Sequence, residues 1–244
     1  MMGQYLKRER IPKALKECHV VNSYINMYFE SKYNALYITN LLIDGLNADH
    51  KDDIFKCVQI DFDEKSTENT TSFYHNSQIK IKVEDTVISL NCNGKYPGWD
   101  IVYKYIKEVL YKVQSIDGNI KFPIAEVDYM SAFLDVQIFQ KLENEVNLIN
   151  IPNFDNMKLE FECEFQGLDL SAERAKVHTI IQNNVPVNKD HKASIFNIKV
   201  THRNKERTTE VLLQDIPILH KAEKDLFFNL ISEDYINEWK PIYE

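Results

Sequence analysis

A short run of carboxylates is the strongest candidate for chemistry in this sequence. Asp61, Asp63 and Glu64 lie at the end of an alternating stretch, Ile54 to Phe62, that predicts a strand. Because side chains two residues apart on a strand project to the same side, Asp61 and Asp63 could hold Mg²⁺ together, as in metal-dependent nucleases. The group runs into a polar loop, and a nuclease would also need a lysine and a further glutamate at defined spacing. A solvated strand end is the preferred interpretation, and an Mg²⁺-dependent nuclease is the alternative.

Other catalytic, metal and nucleotide motifs are absent from the sequence. The 7 histidines form neither H-E-x-x-H nor H-x-H, and the 4 cysteines include no C-x-x-C pair. There is no P-loop, no G-x-G-x-x-G and no G-x-S-x-G. We therefore expect no catalytic residue, no metal, no cofactor, and reduced, buried thiols. His220, beside the apolar stripe of the last helix, is interpreted as a hydrogen-bonded packing residue rather than a base.

Two basic stretches could contact phosphates or an acidic protein. The first is a polar tip between two predicted strands, and it defines a tentative binding surface of His202, Arg203, Lys205 and Arg207. The second lies near the N-terminus and contains Lys7, Arg8, Arg10, Lys13 and Lys16. Solvated loops are the commoner explanation for such charges. Nucleic-acid binding through the N-terminal stretch is a weaker alternative, which predicts an affinity that falls steeply with salt.

The element around which the rest of the chain is organised is a helix predicted from Tyr96 to Val113. It follows a strand pair within Gln78 to Asn91. Its apolar residues recur at steps of three and four and form one stripe: Trp99, Val102, Ile106, Val109, Leu110 and Val113. Such a stripe is typical of a helix that covers a sheet. Beside it, Tyr103, Tyr105 and Tyr111 could line a groove, or could simply lie at the rim of the layer.

The remaining periodicity predicts an α+β fold with one or more antiparallel sheets and helices on one face. Helices are expected at Asn34 to Leu46, fraying at Gly45, and from an N-cap at Asp215, with a short helix or turn at Val136 to Leu142. Strands are expected at Cys18–Phe29, Ile54–Phe62, Ser72–Val83, Thr86–Asn91, Phe122–Ala132, Met157–Gln166, Ala175–Asn183, Ser194–Thr201 and Thr208–Leu213. The order strand, helix, three strands, helix would then be followed by the same order with one additional strand, which suggests two tandem halves.

The halves, residues 1–118 and 119–244, are expected to form one compact unit because no flexible linker joins them. The net charge of −8 is uneven: 15 basic against 16 acidic residues up to position 120, and 14 against 21 beyond it. An acidic second half argues against a phosphate-binding surface there and suits a basic partner. The charged start lacks an apolar core of signal-peptide length, and no run is long enough to span a membrane, so we expect a cytoplasmic protein.

Three stretches, residues 79–110, 124–133 and 215–239, resemble a sporadically distributed, uncharacterised bacterial family. In that family a Tyr-x-x-Trp opens a helix, here Tyr96 and Trp99. A strand with an Arg-Tyr-Ile-Asn-like pattern follows, here Val127, Asp128, Tyr129 and Met130, and a helix with His and Phe lies near the C-terminus, here His220 and Phe227 or Phe228. Asp128 and Met130 replace the basic and aliphatic residues of that strand, and Ser131 replaces its Asn.

The resemblance implies a bacterial cytoplasmic protein of patchy occurrence, as is common for genes of mobile or defence islands, and implies no activity. The order of elements is also similar to that of SecB-type export chaperones, which bind unfolded clients in apolar grooves. We therefore expect a binding or adaptor protein that holds a protein partner, in toxin neutralisation or phage defence. Assembly into a homo-oligomer is left open.

Overall fold

A computed structural model describes residues 11–12, 14–62, 70–143, 157–165 and 175–243. Its helices are α1 (Ala35–Asp49), α2 (Trp99–Ile116), α3 (Thr209–Leu230) and α4 (Glu233–Glu238), with a 3₁₀ helix at Ile138–Lys141. The strands are β1 (Ala14–Leu15), β2 (Val20–Glu30), β3 (Lys56–Phe62), β4 (Thr70–His75), β5 (Ile79–Glu84), β6 (Val87–Cys92), β7 (Lys121–Leu134), β8 (Lys158–Phe165), β9 (Ala175–Pro186), β10 (Lys192–Arg203) and β11 (Pro241–Ile242).

Nine of the described strands form one antiparallel sheet in the order β3-β4-β5-β6-β2-β7-β10-β9-β8. Its two central strands, β2 and β7, pair from Val20 opposite Ser131 to Glu30 opposite Lys121. The sheet continues from β2 through β6, β5, β4 and β3, and from β7 through β10, β9 and β8. The predicted α+β class with a large antiparallel sheet is confirmed.

Side chains alternate between a buried inner face and a more polar outer face of this sheet. On β5, Ile79, Ile81 and Val83 are buried, whereas Lys80 and Lys82 project to the other side. The hydrophobic core combines buried residues of the sheet with residues of the helices: α1 contacts β4, β5 and α2, while α3 contacts β7, β10 and α2. Within this core, the predicted stripe of α2 is buried from Val102 to Val113, and Trp99 is half-buried.

Helix α2 begins after Gly98, whose φ of +99° is a conformation that residues with a Cβ rarely adopt. Helix α1 begins at the N-cap Asn34, whose side chain accepts a hydrogen bond from the Tyr37 backbone N–H at 2.8 Å. The prediction that α1 frays at Gly45 is wrong. Gly45 lies inside the helix, where an added Cβ would meet the Lys112 side chain of α2 at 3.1 Å.

Two strand predictions are wrong. The stretch Ser72–Val83 is divided by a turn at Asn76, whose side-chain oxygen accepts the backbone N–H groups of Gln78 at 3.0 Å and Ile79 at 2.8 Å. The stretch Thr208–Leu213 is the first turn of α3. Thr208 is its N-cap, and the helix runs on through the predicted start at Asp215.

The two ends of the described chain meet, because β1 and β11 form a small antiparallel pair with Ala14 opposite Ile242. Trp239, which precedes β11, is 3% exposed and lies against Phe133 and Tyr235. No helix among the described residues is long and apolar enough to cross a membrane.

Candidate functional site

The four residues of the predicted binding surface, at the tip after β10, differ in burial. Arg203 and Lys205 are exposed, but His202 and Arg207 are each 0% exposed. The prediction that all four residues form one surface is therefore wrong. Their burial could not be read from a run of polar residues, because it depends on the long-range packing of α3 and β7 around the tip.

Arg207 is instead the centre of a buried clamp. Its Nε donates to Asp215 Oδ2 at 3.0 Å and its Nη1 to the Phe122 backbone oxygen at 3.2 Å. Its Nη2 lies 2.6 Å from Nδ1 of His202. Because a guanidinium can only donate, Nδ1 of His202 accepts and the ring proton of the neutral imidazole lies on Nε2. Burial lowers the pKa of Arg207, and Asp215 opposes that shift. Because Asp215 lies on α3 and Phe122 on β7, the clamp ties the tip to both elements.

The carboxylates proposed for a nuclease are only partly described. Asp61 lies on β3 opposite Thr71, whereas Asp63 and Glu64 lie outside the described residues. Among the residues that the structure describes, no group of three or more His, Cys, Asp or Glu side chains could hold a metal ion. The prediction of buried thiols is wrong for three of the four cysteines: Cys18, Cys57 and Cys163 are exposed, and Cys92 is buried.

Residues from all three stretches of the resemblance meet in an aromatic joint, formed by Tyr96, Trp99, Tyr129, His220 and Glu223. The rings of Trp99 on α2 and His220 on α3 stack with centroids 3.8 Å apart, and the Tyr129 ring on β7 lies 5.3 Å from His220. The hydroxyl oxygens of Tyr96 and Tyr129 are 3.0 Å apart. The joint therefore fastens α2, α3 and the central strand β7 to one another.

Two titratable groups in the aromatic joint have no close counter-ion among the described residues: Glu223 is buried, and the His220 side chain is 13% exposed. Burial lowers the pKa of His220 to about 3, with a further contribution from Lys224. Burial raises the pKa of Glu223 to about 8, and Lys224 only partly offsets it. Nδ1 of His220 and Oε2 of Glu223 are 3.8 Å apart, too far for a hydrogen bond. Both side chains are therefore neutral near pH 7. The sequence predicted that His220 is a hydrogen-bonded packing residue: its ring packs against Trp99, but its Nδ1 makes no hydrogen bond with the described residues.

The groove predicted beside α2 does not form. Tyr105 is buried, and its hydroxyl accepts a hydrogen bond from Asn76 Nδ2 at 2.9 Å. Tyr103 donates to the backbone oxygen of Leu213 at 2.8 Å, and Tyr111 alone of the three is largely exposed, at 56%.

A groove of about 710 Å³ lies instead on the outer face of the sheet, over β3, β4, β5, β6 and β2. Its apolar lining includes Tyr24, Tyr28, Phe73 and Val58, of which Val58 is 62% exposed. We call this concave surface the groove. One feature of the sequence could have indicated the groove. Tyr24 and Tyr28 are aromatic residues at the outward-facing positions of a strand, where polar residues are expected.

Carboxamides form much of the polar lining of the groove, namely Asn26, Gln59, Asn91 and Asn93. The Oδ1 atom of Asn91 is buried and accepts no hydrogen bond from the described residues. An unpaired buried acceptor costs free energy. Charged lining residues are Lys80, Lys82 and Glu84; Lys82 pairs with Glu84 and lies 5.7 Å from the centre of the Phe73 ring.

One side of the groove is held by a network around Glu126 on β7. Its Oε2 accepts from Asn26 Nδ2 at 3.2 Å and from the Tyr28 hydroxyl at 3.3 Å, and its Oε1 accepts from Thr201 at 3.1 Å. Burial, together with Glu126, raises the pKa of Tyr28. These bonds fix the orientation of two lining side chains, so this side of the groove is formed before any ligand binds.

Comparison of the chain with protein-family models, with curated proteins and with solved structures finds no match.

Proposed function

We propose that the protein is a non-catalytic binding or adaptor protein that holds an extended segment of a protein partner in the groove. The observation that carries this proposal is the lining of the groove, which combines aromatic rings with carboxamides on a concave sheet surface. Aromatic rings bury apolar side chains, and carboxamides both donate to and accept from peptide groups.

The size of the groove supports a short segment rather than a broad protein face. Its volume of about 710 Å³ lies in the range of sites that enclose compact ligands. A partner would therefore insert a few residues, and the rest of its surface would stay outside the groove.

We also infer that α1, α2 and α3 all cover the inner face, which leaves the outer face to the partner. The alternation of buried and exposed residues on β5 and the contacts of α1 and α3 with the sheet support this arrangement. The strand order supports two tandem halves, because the strands beside β2 and beside β7 both follow in reverse chain order. The resemblance to SecB-type chaperones suggests the same use of a sheet-and-helix layer.

The cellular setting follows from the family resemblance. A cytoplasmic bacterial adaptor encoded beside its partner would serve in toxin neutralisation or in phage defence. In either setting, a stoichiometric complex blocks or presents the partner, and no catalytic residue is needed.

Capture of the partner from extracts of the native host tests this proposal, with the tagged full chain as bait. The variant Tyr24→Ala removes a ring from the groove, and Tyr111→Ala removes an exposed ring from α2 as a matched control. We expect the unaltered protein and the control to retain a stoichiometric partner that Tyr24→Ala loses. A partner retained by all three, or none recovered by any, would contradict the proposal.

Labelled DNA and RNA incubated with the protein and Mg²⁺ or Mn²⁺ test the alternative. We expect no cleavage. Cleavage that is lost in the variant Asp61→Asn would replace the binding function with a nuclease.

A further inference from the structure

A line of side chains crosses the outer face from strand to strand and passes through the groove, whose lining includes four of its six members, His75, Lys80, Asn91 and Tyr24. Cross-strand register places them side by side on the outer face in the order Lys56, His75, Lys80, Asn91, Tyr24 and Asp128. Residues directly opposite each other in antiparallel strands project to the same face. The line therefore runs from a cationic end on β3 and β5, through Asn91 and Tyr24, to an anionic end at Asp128 on β7. Asp128 lies beside the groove rather than in its lining, and Lys199 on β10 is the next residue in register.

The cationic end is available to a ligand. Lys80 is exposed and makes no ion pair within the part of the chain that the structure describes, whereas the neighbouring Lys82 is paired with Glu84. On a protein with a net charge of −8, this lysine is a local site for an anionic group.

The anionic end is partly desolvated. Asp128 is half-buried, and its Oδ1 accepts from Asn197 Nδ2 at 2.6 Å. Burial raises the pKa of Asp128, although Asn197 and Lys199 oppose the shift. Glu126 lies two residues away on the same face of β7. Lys199, directly opposite Asp128, offsets part of the cost of keeping two carboxylates close together, and a cationic ligand group would offset more of it.

The distance between the two ends sets the spacing of charges in a ligand. β5 and β7 are three strand positions apart, about 14 Å, and an extended chain advances about 3.4 Å per residue. We propose that the occupant of the groove is an extended peptide segment with a carboxylate and a cationic side chain about four residues apart and an aromatic or apolar residue between them over Tyr24. This inference rests on the proposed function and adds the charge pattern of the partner.

Single-stranded nucleic acid fits the same surface less well. Aromatic rings and lysines can bind bases and phosphates, but successive phosphates along the line would reach Asp128 and Glu126. A peptide that carries both signs of charge satisfies both ends of the line.

Short fluorescein-labelled peptides that are long enough to cross the groove test the charge pattern. All share a Tyr-Leu centre; one carries Asp and Lys at the proposed spacing, and the others carry two Asp, two Lys or two Asn at those positions. Fluorescence anisotropy gives the Kd of each for the full chain, for Lys80→Glu and for the control Lys104→Glu, which alters a lysine on α2 that is 64% exposed.

We expect the unaltered protein and Lys104→Glu to bind the Asp/Lys peptide about fivefold more tightly than either like-charged peptide. Lys80→Glu, which makes both ends anionic, should instead prefer the two-Lys peptide. Equal Kd values for all peptides, still weakened by Tyr24→Ala, would overturn the charge pattern and leave the proposed function standing. Peptide binding unchanged by Tyr24→Ala would overturn both, and tight binding of single-stranded RNA that Lys80→Glu abolishes would replace the peptide with nucleic acid.

Discussion

At the scale of single residues, Glu223 should make stability depend on pH. Its pKa is raised to about 8 in the folded protein, from an ordinary value of 4.5, so the folded state holds a proton that the unfolded state releases. Its contribution is full below pH 4.5 and is lost as the pH rises through 8. We expect the free energy of unfolding to fall by about 2 kcal/mol between pH 6 and pH 8 because of this group.

The variant Glu223→Gln keeps the shape of the side chain and removes the titration. Urea unfolding at several pH values gives the free energy of unfolding of the unaltered protein and of the variant. The difference between the two values isolates Glu223, because the contributions of other groups cancel. His220 acts on the acid side, because its lowered pKa costs stability only as the pH falls below 6.5. A constant difference between the two proteins from pH 6 to pH 8 would show that Glu223 titrates normally.

The clamp around Arg207 should contribute more to the free energy of unfolding than Glu223 does. Asp215→Asn leaves the guanidinium charge buried without a counter-ion, and Arg207 is 0% exposed. We expect a loss of about 3–5 kcal/mol, measured by chemical denaturation. Lys205→Ala, on the exposed side of the same tip, should change stability by less than about 0.5 kcal/mol. Similar losses in both variants would contradict the separation of the tip into buried and exposed residues.

Arg207 and Lys205 also show how far the site can be predicted from the sequence. Polarity predicted that the tip is solvated, and for Arg203 and Lys205 it is. Nothing local distinguishes Arg207, because its burial depends on Asp215 in the next helix and on the backbone of Phe122. The groove escaped prediction for the same reason: its residues come from five strands, and their proximity is a property of register.

At the scale of elements, strong periodicity predicted the correct elements, whereas the predicted start of α3 at Asp215 was wrong. The stripe of α2 and the alternation of β8 both gave the correct element, because each pattern repeats over several turns or strand positions. Thr208 to Leu213 was predicted as a strand since Thr and Val favour strands, yet packing against β7 and β10 makes it helical. Asn76 similarly divides one predicted strand through two local hydrogen bonds.

The N-cap of α1 gives a prediction at this scale. Asn34 is exposed and its side chain accepts from the Tyr37 N–H, so its contribution comes from capping rather than burial. We expect Asn34→Ala to lower the free energy of unfolding by about 1 kcal/mol, and Asn34→Asp to leave it nearly unchanged. Thermal unfolding followed by circular dichroism measures both. Equal losses in the two variants would indicate that Asn34 acts through something other than its side-chain oxygen.

At the scale of the whole molecule, the two sequence halves share one sheet. β2 and β7, one from each half, pair along most of their length, and α2 of the first half packs against α3 of the second. The two tryptophans lie in different halves: Trp99 stacks on His220, and Trp239 lies 5.0 Å from His19. Each therefore contacts a ring from the opposite half, and neither half can unfold without exposing a tryptophan.

Single-tryptophan variants turn this arrangement into a test of cooperativity. Trp99→Phe leaves Trp239 as the only tryptophan in the chain, and Trp239→Phe leaves Trp99. Because the central strand pair spans both halves, we expect the fluorescence midpoint of each variant in urea to coincide with its own midpoint by circular dichroism. Comparing each variant with itself removes the effect of the substitution on stability. A fluorescence midpoint that precedes the loss of ellipticity in either variant would show that residues 1–118 and 119–244 unfold as separate units despite their shared sheet.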